Sequence, residues 1–280
     1  MQFFPTPRNT TLGYSRVGRG RPLVCVPGGP LLPAAYLGEL GGLSQYAELL
    51  LFDPPGSAGN TESDPAAYRC DRVADDLEAL RRHLGLDRLD LLGHSAGANI
   101  VLRYAERHPE RVGRLLLVAP GTRAVGIDVA DESRSAVARS RAHEPWYDGA
   151  AAALARIQSG EAAAGDWDAI APFSYGRWDR AAADYDARMN ASRNPTAAAA
   201  FGAAGAFDPA ATREALAALR VPVTVLTGAV DVGLPTDVMR ELVTLFPAAS
   251  LEILAGAGHF PWIDDPPAFV AAARRALTRP

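Results

Sequence analysis

Between Leu23 and about Pro120, short apolar runs alternate with segments whose apolar residues recur at helical spacing. The runs are Leu23 to Val26, Glu48 to Phe52, Leu89 to Leu92 and Leu115 to Val118. A short run that is apolar throughout needs cover on both faces, and a helix between two such runs supplies it. The order therefore predicts βαβ units and an α/β architecture with a mostly parallel sheet. Val73, Leu77, Leu80 and Leu84 mark one crossover helix, with Asp75, Asp76, Arg81 and Arg82 on its other face. A second βαβ pattern closes the chain: Val221 to Leu226, a helix around Asp237 to Leu245, Leu251 to Leu254, and a helix through Phe269 to Leu277.

From about Thr122 to Phe207 the strand-like runs stop, and Ala-rich sequence with interspersed Trp and Phe takes over. Alanine is the strongest helix former and large aromatics bury much area, so an ordered helical insertion is expected over 122–207. The core is then 1–121 together with 208–280.

The 28 basic residues are all Arg, which excludes P-loop, Schiff-base and pyridoxal-phosphate chemistry, each of which needs a Lys amine. A formal charge of −4 with no run of like sign predicts no nucleic-acid partner. Cys25 and Cys70 lie far apart, outside any C-x-x-C pair or metal-ligand spacing, and Cys25 reads as a small core residue. No metal and no cofactor is expected. Residues Met1 to Pro5 lack the basic head and apolar stretch of a signal peptide, and no run of 18 apolar residues occurs, so the expectation is a cytoplasmic protein that does not enter a membrane.

The strongest chemical signal is Gly93-His94-Ser95-Ala96-Gly97, directly after one apolar run and directly before the helical segment Ala98 to Arg107. A nucleophile elbow requires this order of strand, strained serine and helix. A serine hydroxyl needs a neutral imidazole as base. Of five histidines, His83 and His108 read as helix-surface residues, His94 as pointing away from the serine, and His143 as part of the insertion. His259, in the Gly-rich loop after the last apolar run, stands where a base belongs. Asp231 follows the run ending near Leu226 and precedes His259, which suits it to orient that ring better than Asp237, a first-turn helix carboxylate. Backbone N–H groups of Ala96 and of Gly29, in Pro27-Gly28-Gly29-Pro30, are the candidate oxyanion donors.

These residues resemble the α/β-hydrolase family over nearly the whole chain outside the insertion. Pro27-Gly28-Gly29-Pro30 is similar to the H-G-G-P-G loop of proline iminopeptidases, and Asp53-Pro54-Pro55-Gly56 with Gly59 to a D-x-R/P-G-x-G loop of many members. Gly258-His259-Phe260-Pro261-Trp262 resembles the histidine loop of esterase-like and lactonase-like relatives. The resemblance implies a twisted sheet flanked by helices, a helical cap over 122–207, and an acyl-enzyme on Ser95. A small ester, lactone, thioester or amide is the expected substrate, held near Trp146, Trp167, Trp178 and Glu144 of the cap.

Two alternatives stand beside that reading. One is an iminopeptidase-like aminopeptidase, whose cap carboxylates (Glu144, Glu161, Asp166 and Asp168 are the candidates) would hold a free amine; against it, Pro27 replaces the usual loop His and the elbow is not G-G-S-W-G. The other is a hydrolase-fold protein that binds a small ligand without cleaving it.

Overall fold

The computed structural model describes residues 1–60 and 64–279. Its single sheet has eight strands: β1 (Gln2–Pro5), β2 (Thr11–Val17), β3 (Pro22–Val26), β4 (Glu48–Phe52), β5 (Leu89–His94), β6 (Val112–Val118), β7 (Val223–Gly228) and β8 (Ala249–Leu254). Their order across the sheet is β1-β2-β4-β3-β5-β6-β7-β8. The four early apolar runs and the two late ones are strands β3 to β8, all in parallel register from β4 across to β8. The antiparallel strands β1 and β2 add an edge that the sequence pattern does not announce. Gln2–Pro5 is short and has one buried side chain, Phe4, so it carries almost no periodic signal.

Alternate residues of each parallel strand enter opposite cores. Val24 and Val26, Leu89 and Leu91, and Leu115 and Leu117 face one layer, while Leu23 and Cys25, Leu92, and Leu116 and Val118 face the other. Burial on both faces is why these runs read as continuously apolar. The first layer is covered by α1 (Cys70–His83), α2 (Ala96–Arg107), with α8 (Pro209–Ala218) and α9 (Thr236–Val243). The second is covered by 3-10 turns between residues 34 and 45 and by α11 (Pro266–Thr278), which the short α10 (Pro261–Asp264) precedes. Cys70, like Cys25, is fully buried.

Between β6 and β7 the described chain contains helices and no strand: α3 (Asp131–Arg139), α4 (Tyr147–Gln158), α5 (Asp166–Ala169), α6 (Arg180–Ala191), α7 (Pro195–Ala200), then α8. The Ala runs at 150–153 and 197–200 lie in α4 and α7. Side-chain caps start several of these helices, as Asp179 accepts from Ala182 N–H at 3.0 Å and Asn194 from Ala197 N–H at 3.1 Å, with Pro195 at the first helical position. Among the described residues no helix is long and apolar enough to cross a membrane.

Candidate active site

Four loops meet at the carboxyl ends of β3, β5, β7 and β8, where open parallel sheets bind ligands. Ser95 sits between β5 and α2 with φ 52° and ψ −124°, a conformation that costs a non-glycine residue about 1–3 kcal/mol. The strain is held by three backbone bonds. Ser95 N–H donates to the Val118 carbonyl at 3.0 Å, and the Ser95 carbonyl accepts from Ala98 at 3.0 Å and Gly121 at 2.8 Å. Gly97 is required by close approach, since a Cβ there would lie 2.4 Å from the carbonyl oxygens of both Val26 and Pro27. The motif's second glycine thus lets α2 press against the end of β3.

Asp231 follows β7 and is 1% exposed. Its Oδ2 meets His259 Nδ1 at 2.7 Å, and its Oδ1 accepts from Leu234 N–H at 3.0 Å. A carboxylate only accepts, so Nδ1 carries the hydrogen and Nε2 of a neutral His259 is left as a base. The loop that carries His259 is tied down on both sides: Val230 N–H donates to the Ala257 carbonyl at 3.0 Å, and His259 N–H to the Ser174 carbonyl at 2.7 Å. Asp237 lies in the first turn of α9, where its carboxylate accepts from Val238 N–H at 2.9 Å and from the Ser133 hydroxyl, while the His259 side chain bonds Asp231 instead.

Ser95 and His259 line one cavity of about 930 Å³, within the span of small-molecule sites. Among the described residues the Ser95 hydroxyl makes no hydrogen bond, to His259 or to any other group. Gly29 lines the same cavity. The Ala96 N–H heads α2, where helix geometry provides no acceptor, and neither it nor the Gly29 N–H has a protein partner among the described residues.

The far wall is supplied by α3, α5, α6 and the segments joining them, including Arg134, Trp167, Asp168, Asp186, Asn190 and Arg193. Of the four pocket residues expected from sequence, only Trp167 lines this cavity, and it is 66% exposed. The other three are scaffold. Trp146 packs edge-on against Phe173 beneath the Arg141 guanidinium, Trp178 packs against Tyr175, and Glu144 is ion-paired to Arg141 at 3.0 Å. Of the other carboxylates expected from sequence to meet an amine, Asp166 is paired with Arg156 at 2.6 Å, and Asp168 lines the cavity.

The cavity is also lined by Asp186, which no sequence pattern marks, and by His94, which the sequence presents only as a ring turned away from Ser95. Asp186 accepts from the Tyr175 hydroxyl at 3.0 Å and from Asn190 at 2.7 Å. Burial raises its carboxyl above the usual range, and the nearby Asp168 adds to this while Tyr175 and Arg193 oppose it. His94 is 1% exposed and bonds the His259 carbonyl through Nε2 at 3.0 Å. Burial, with His259 alongside, holds its pKa well below that of a free imidazole. Helical spacing marks Asp186 as an ordinary charged residue of α6, and His94 is overshadowed by the serine beside it.

The family model for the alpha/beta hydrolase fold matches residues 21–266. An uncharacterized protein of Mycobacterium tuberculosis is 27% identical over 241 residues, which cover 80% of this chain and 66% of that protein. A proline iminopeptidase of Saccharolobus solfataricus is 33% identical over 124 residues, 43% of this chain and 40% of its own length. Among solved structures, an esterase from Exiguobacterium antarcticum superposes with a TM-score of 0.75 at 15% identity, covering 99% of both chains. The chain is a member of the alpha/beta hydrolase family.

Proposed function

We propose that the protein is a serine hydrolase that cleaves a small ester, lactone, thioester or amide through an acyl-enzyme on Ser95. The observation that carries this reading is the Asp231–His259 bond of 2.7 Å beside a strained serine in a shared cavity. Ser95 Oγ attacks the acyl carbon while His259 Nε2 takes its proton, and the imidazolium so formed is stabilised by Asp231. The negative charge moving onto the carbonyl oxygen is met by the N–H groups of Gly29 and Ala96. His259 then gives the proton to the leaving group, and water repeats the sequence to release the acid. Ser95 and His259 must close to hydrogen-bond distance as substrate binds, a tightening common to resting hydrolases. In this reading residues 122–207 are a cap over the nucleophile and small molecules are the partners.

The family membership and the esterase and iminopeptidase relatives support hydrolysis, as does an N-formylmaleamate deformylase of Pseudomonas putida, 33% identical over 105 residues. An activity-based fluorophosphonate tests the reading. Wild type should be labelled and Ser95→Ala should not; an unreactive wild type would favour a ligand-binding protein that lacks hydrolytic chemistry.

A second reading, an aminopeptidase, is favoured by one observation: Asp168 and Asp186 both line the cavity, where a free substrate amine would meet them. Alanine and proline arylamides decide between the two. If they turn over faster than the matched acyl esters, and Asp186→Asn raises KM for them alone, the aminopeptidase reading holds.

A further inference from the structure

A chain of hydrogen bonds runs beneath the site from the Gly28–Gly29 loop to the His259 loop. Gly28 N–H donates to the Tyr36 hydroxyl at 2.7 Å, that hydroxyl meets His94 Nδ1 at 2.7 Å, and His94 Nε2 meets the His259 carbonyl at 3.0 Å. The direction of each bond follows from chemistry. A carbonyl oxygen only accepts, so Nε2 carries a hydrogen; the buried ring is neutral, so Nδ1 is bare and accepts from the Tyr36 O–H. The Tyr36 oxygen in turn accepts from Gly28. The Tyr36 hydroxyl thus accepts on one side and donates on the other, and each His94 ring nitrogen has one partner.

The relay is fixed at its middle. Tyr36 lies in a 3-10 turn, Ala34–Leu37, whose first N–H donates to Asp53 Oδ1 at 2.8 Å, and its own carbonyl accepts from the Tyr185 hydroxyl at 2.8 Å. The His94 ring is packed by Trp262 at 4.7 Å and Phe260 at 5.3 Å, centroid to centroid. The Gly28 N–H is committed to Tyr36, whereas the next amide in the loop, that of Gly29, has no protein partner among the described residues, and Gly29 lines the cavity.

We propose that Tyr36 and His94 are positioning residues whose one-directional relay locks the Gly29 amide and the His259 loop into a fixed spacing about Ser95. The proposal rests on the serine-hydrolase reading. It differs from a merely structural role in what it moves: a base and an oxyanion donor displaced by a fraction of an ångström slow the chemical step more than they weaken substrate binding.

The test uses the full chain and an ester that wild type turns over. Tyr36→Phe keeps the ring and removes the relay oxygen, and should lower kcat about tenfold to a hundredfold with KM changed less than about threefold. His94→Gln retains a neutral donor and acceptor at similar spacing and should recover much of the activity that His94→Phe loses. Nitrogen-15 NMR of the wild-type His94 ring should show a neutral imidazole protonated at Nε2, a readout that needs no variant to fold. An Nδ1–H tautomer, or kcat within twofold of wild type in Tyr36→Phe, overturns the relay while leaving the hydrolase reading intact. A wild type that neither turns over esters nor reacts with the fluorophosphonate overturns both.

Discussion

Gly228, the last residue of β7, lies directly beneath the carbonyl of Ala257, so that a Cβ at 228 would stand 2.1 Å from that oxygen and 2.2 Å from the carbonyl oxygen of Gly258. The loop bearing His259 crosses the strand that leads to Asp231 with no room for a side chain. The 2.7 Å contact between those two residues depends on this crossing. Gly228→Ala must lift the loop, and a shift near 1 Å at a catalytic group costs about a hundredfold in rate. Kinetics on a purified, folded Gly228→Ala should show such a loss in kcat/KM. Activity equal to wild type would mean that the loop has slack the packing does not suggest.

The contact between Asp231 and His259 also predicts how substitution at the acid behaves. Asp231→Asn preserves shape but offers an amide donor toward Nδ1, which favours the tautomer whose Nε2 is already protonated and unable to act as base. In the proposed mechanism kcat should fall by roughly 10³–10⁴ while the protein stays folded. The double variant with His259→Ala should be little worse than His259→Ala alone, because the residues act as a unit. Additive losses, measured as the product of the two single effects, would count against the pairing.

His94 predicts an acid-side loss of stability. Its folded pKa is held well below the ordinary imidazole value of 6.5, first by burial and then by the neighbouring His259, so between the two values the unfolded chain binds a proton that the folded chain refuses. Stability is therefore fully present above pH 6.5 and declines as pH falls below it, by up to about 1.4 kcal/mol per pH unit from this one group. Urea unfolding of wild type and His94→Gln at pH 7.5, 6 and 5 checks the sign, since the variant should lose less stability toward acid than wild type. Parallel curves would show that His94 titrates freely.

Strands β3 to β6 are legible because each is buried on both faces and spells a mainly apolar run, whereas β7 is broken by the buried Thr224 and Thr227, and β8, at the sheet edge and only partly buried, is marked by the shorter stretch Leu251 to Leu254. The proposed nucleophile, acid and base are marked by the same pattern, since Ser95, Asp231 and His259 stand in the loops that follow β5, β7 and β8. The pocket was less legible for a physical reason. On helices outside a sheet, an aromatic or acidic residue has the same spacing whether it faces a ligand or its own scaffold, and the choice is made by tertiary partners such as Arg141, which engages both Trp146 and Glu144. His94, Tyr36 and Asp186 are meaningful only through contacts across 165, 58 and 11 positions of chain, which no local pattern encodes.

Arg141 gives the last prediction. Its guanidinium is almost wholly buried, donates to the carbonyls of Tyr175 and Gly176 at 2.8 and 3.1 Å, and pairs with Glu144. The adjoining Ser174 carbonyl is the acceptor for His259 N–H, so the arginine holds the segment against which the His259 loop is set. Arg141→Met keeps the stem but takes the donor from the buried Tyr175 carbonyl and the half-buried Gly176 carbonyl, at a cost of about 3 kcal/mol, and should lower the melting temperature by several degrees together with kcat/KM. Glu144→Gln should do much less, under about 1 kcal/mol, because the carboxylate is partly solvated and its partner retains both carbonyls. It should also leave KM unchanged, since Glu144 does not line the cavity. A large rise in KM from Glu144→Gln, with stability intact, would place that carboxylate on the substrate and require the far wall to close further inward than it stands here.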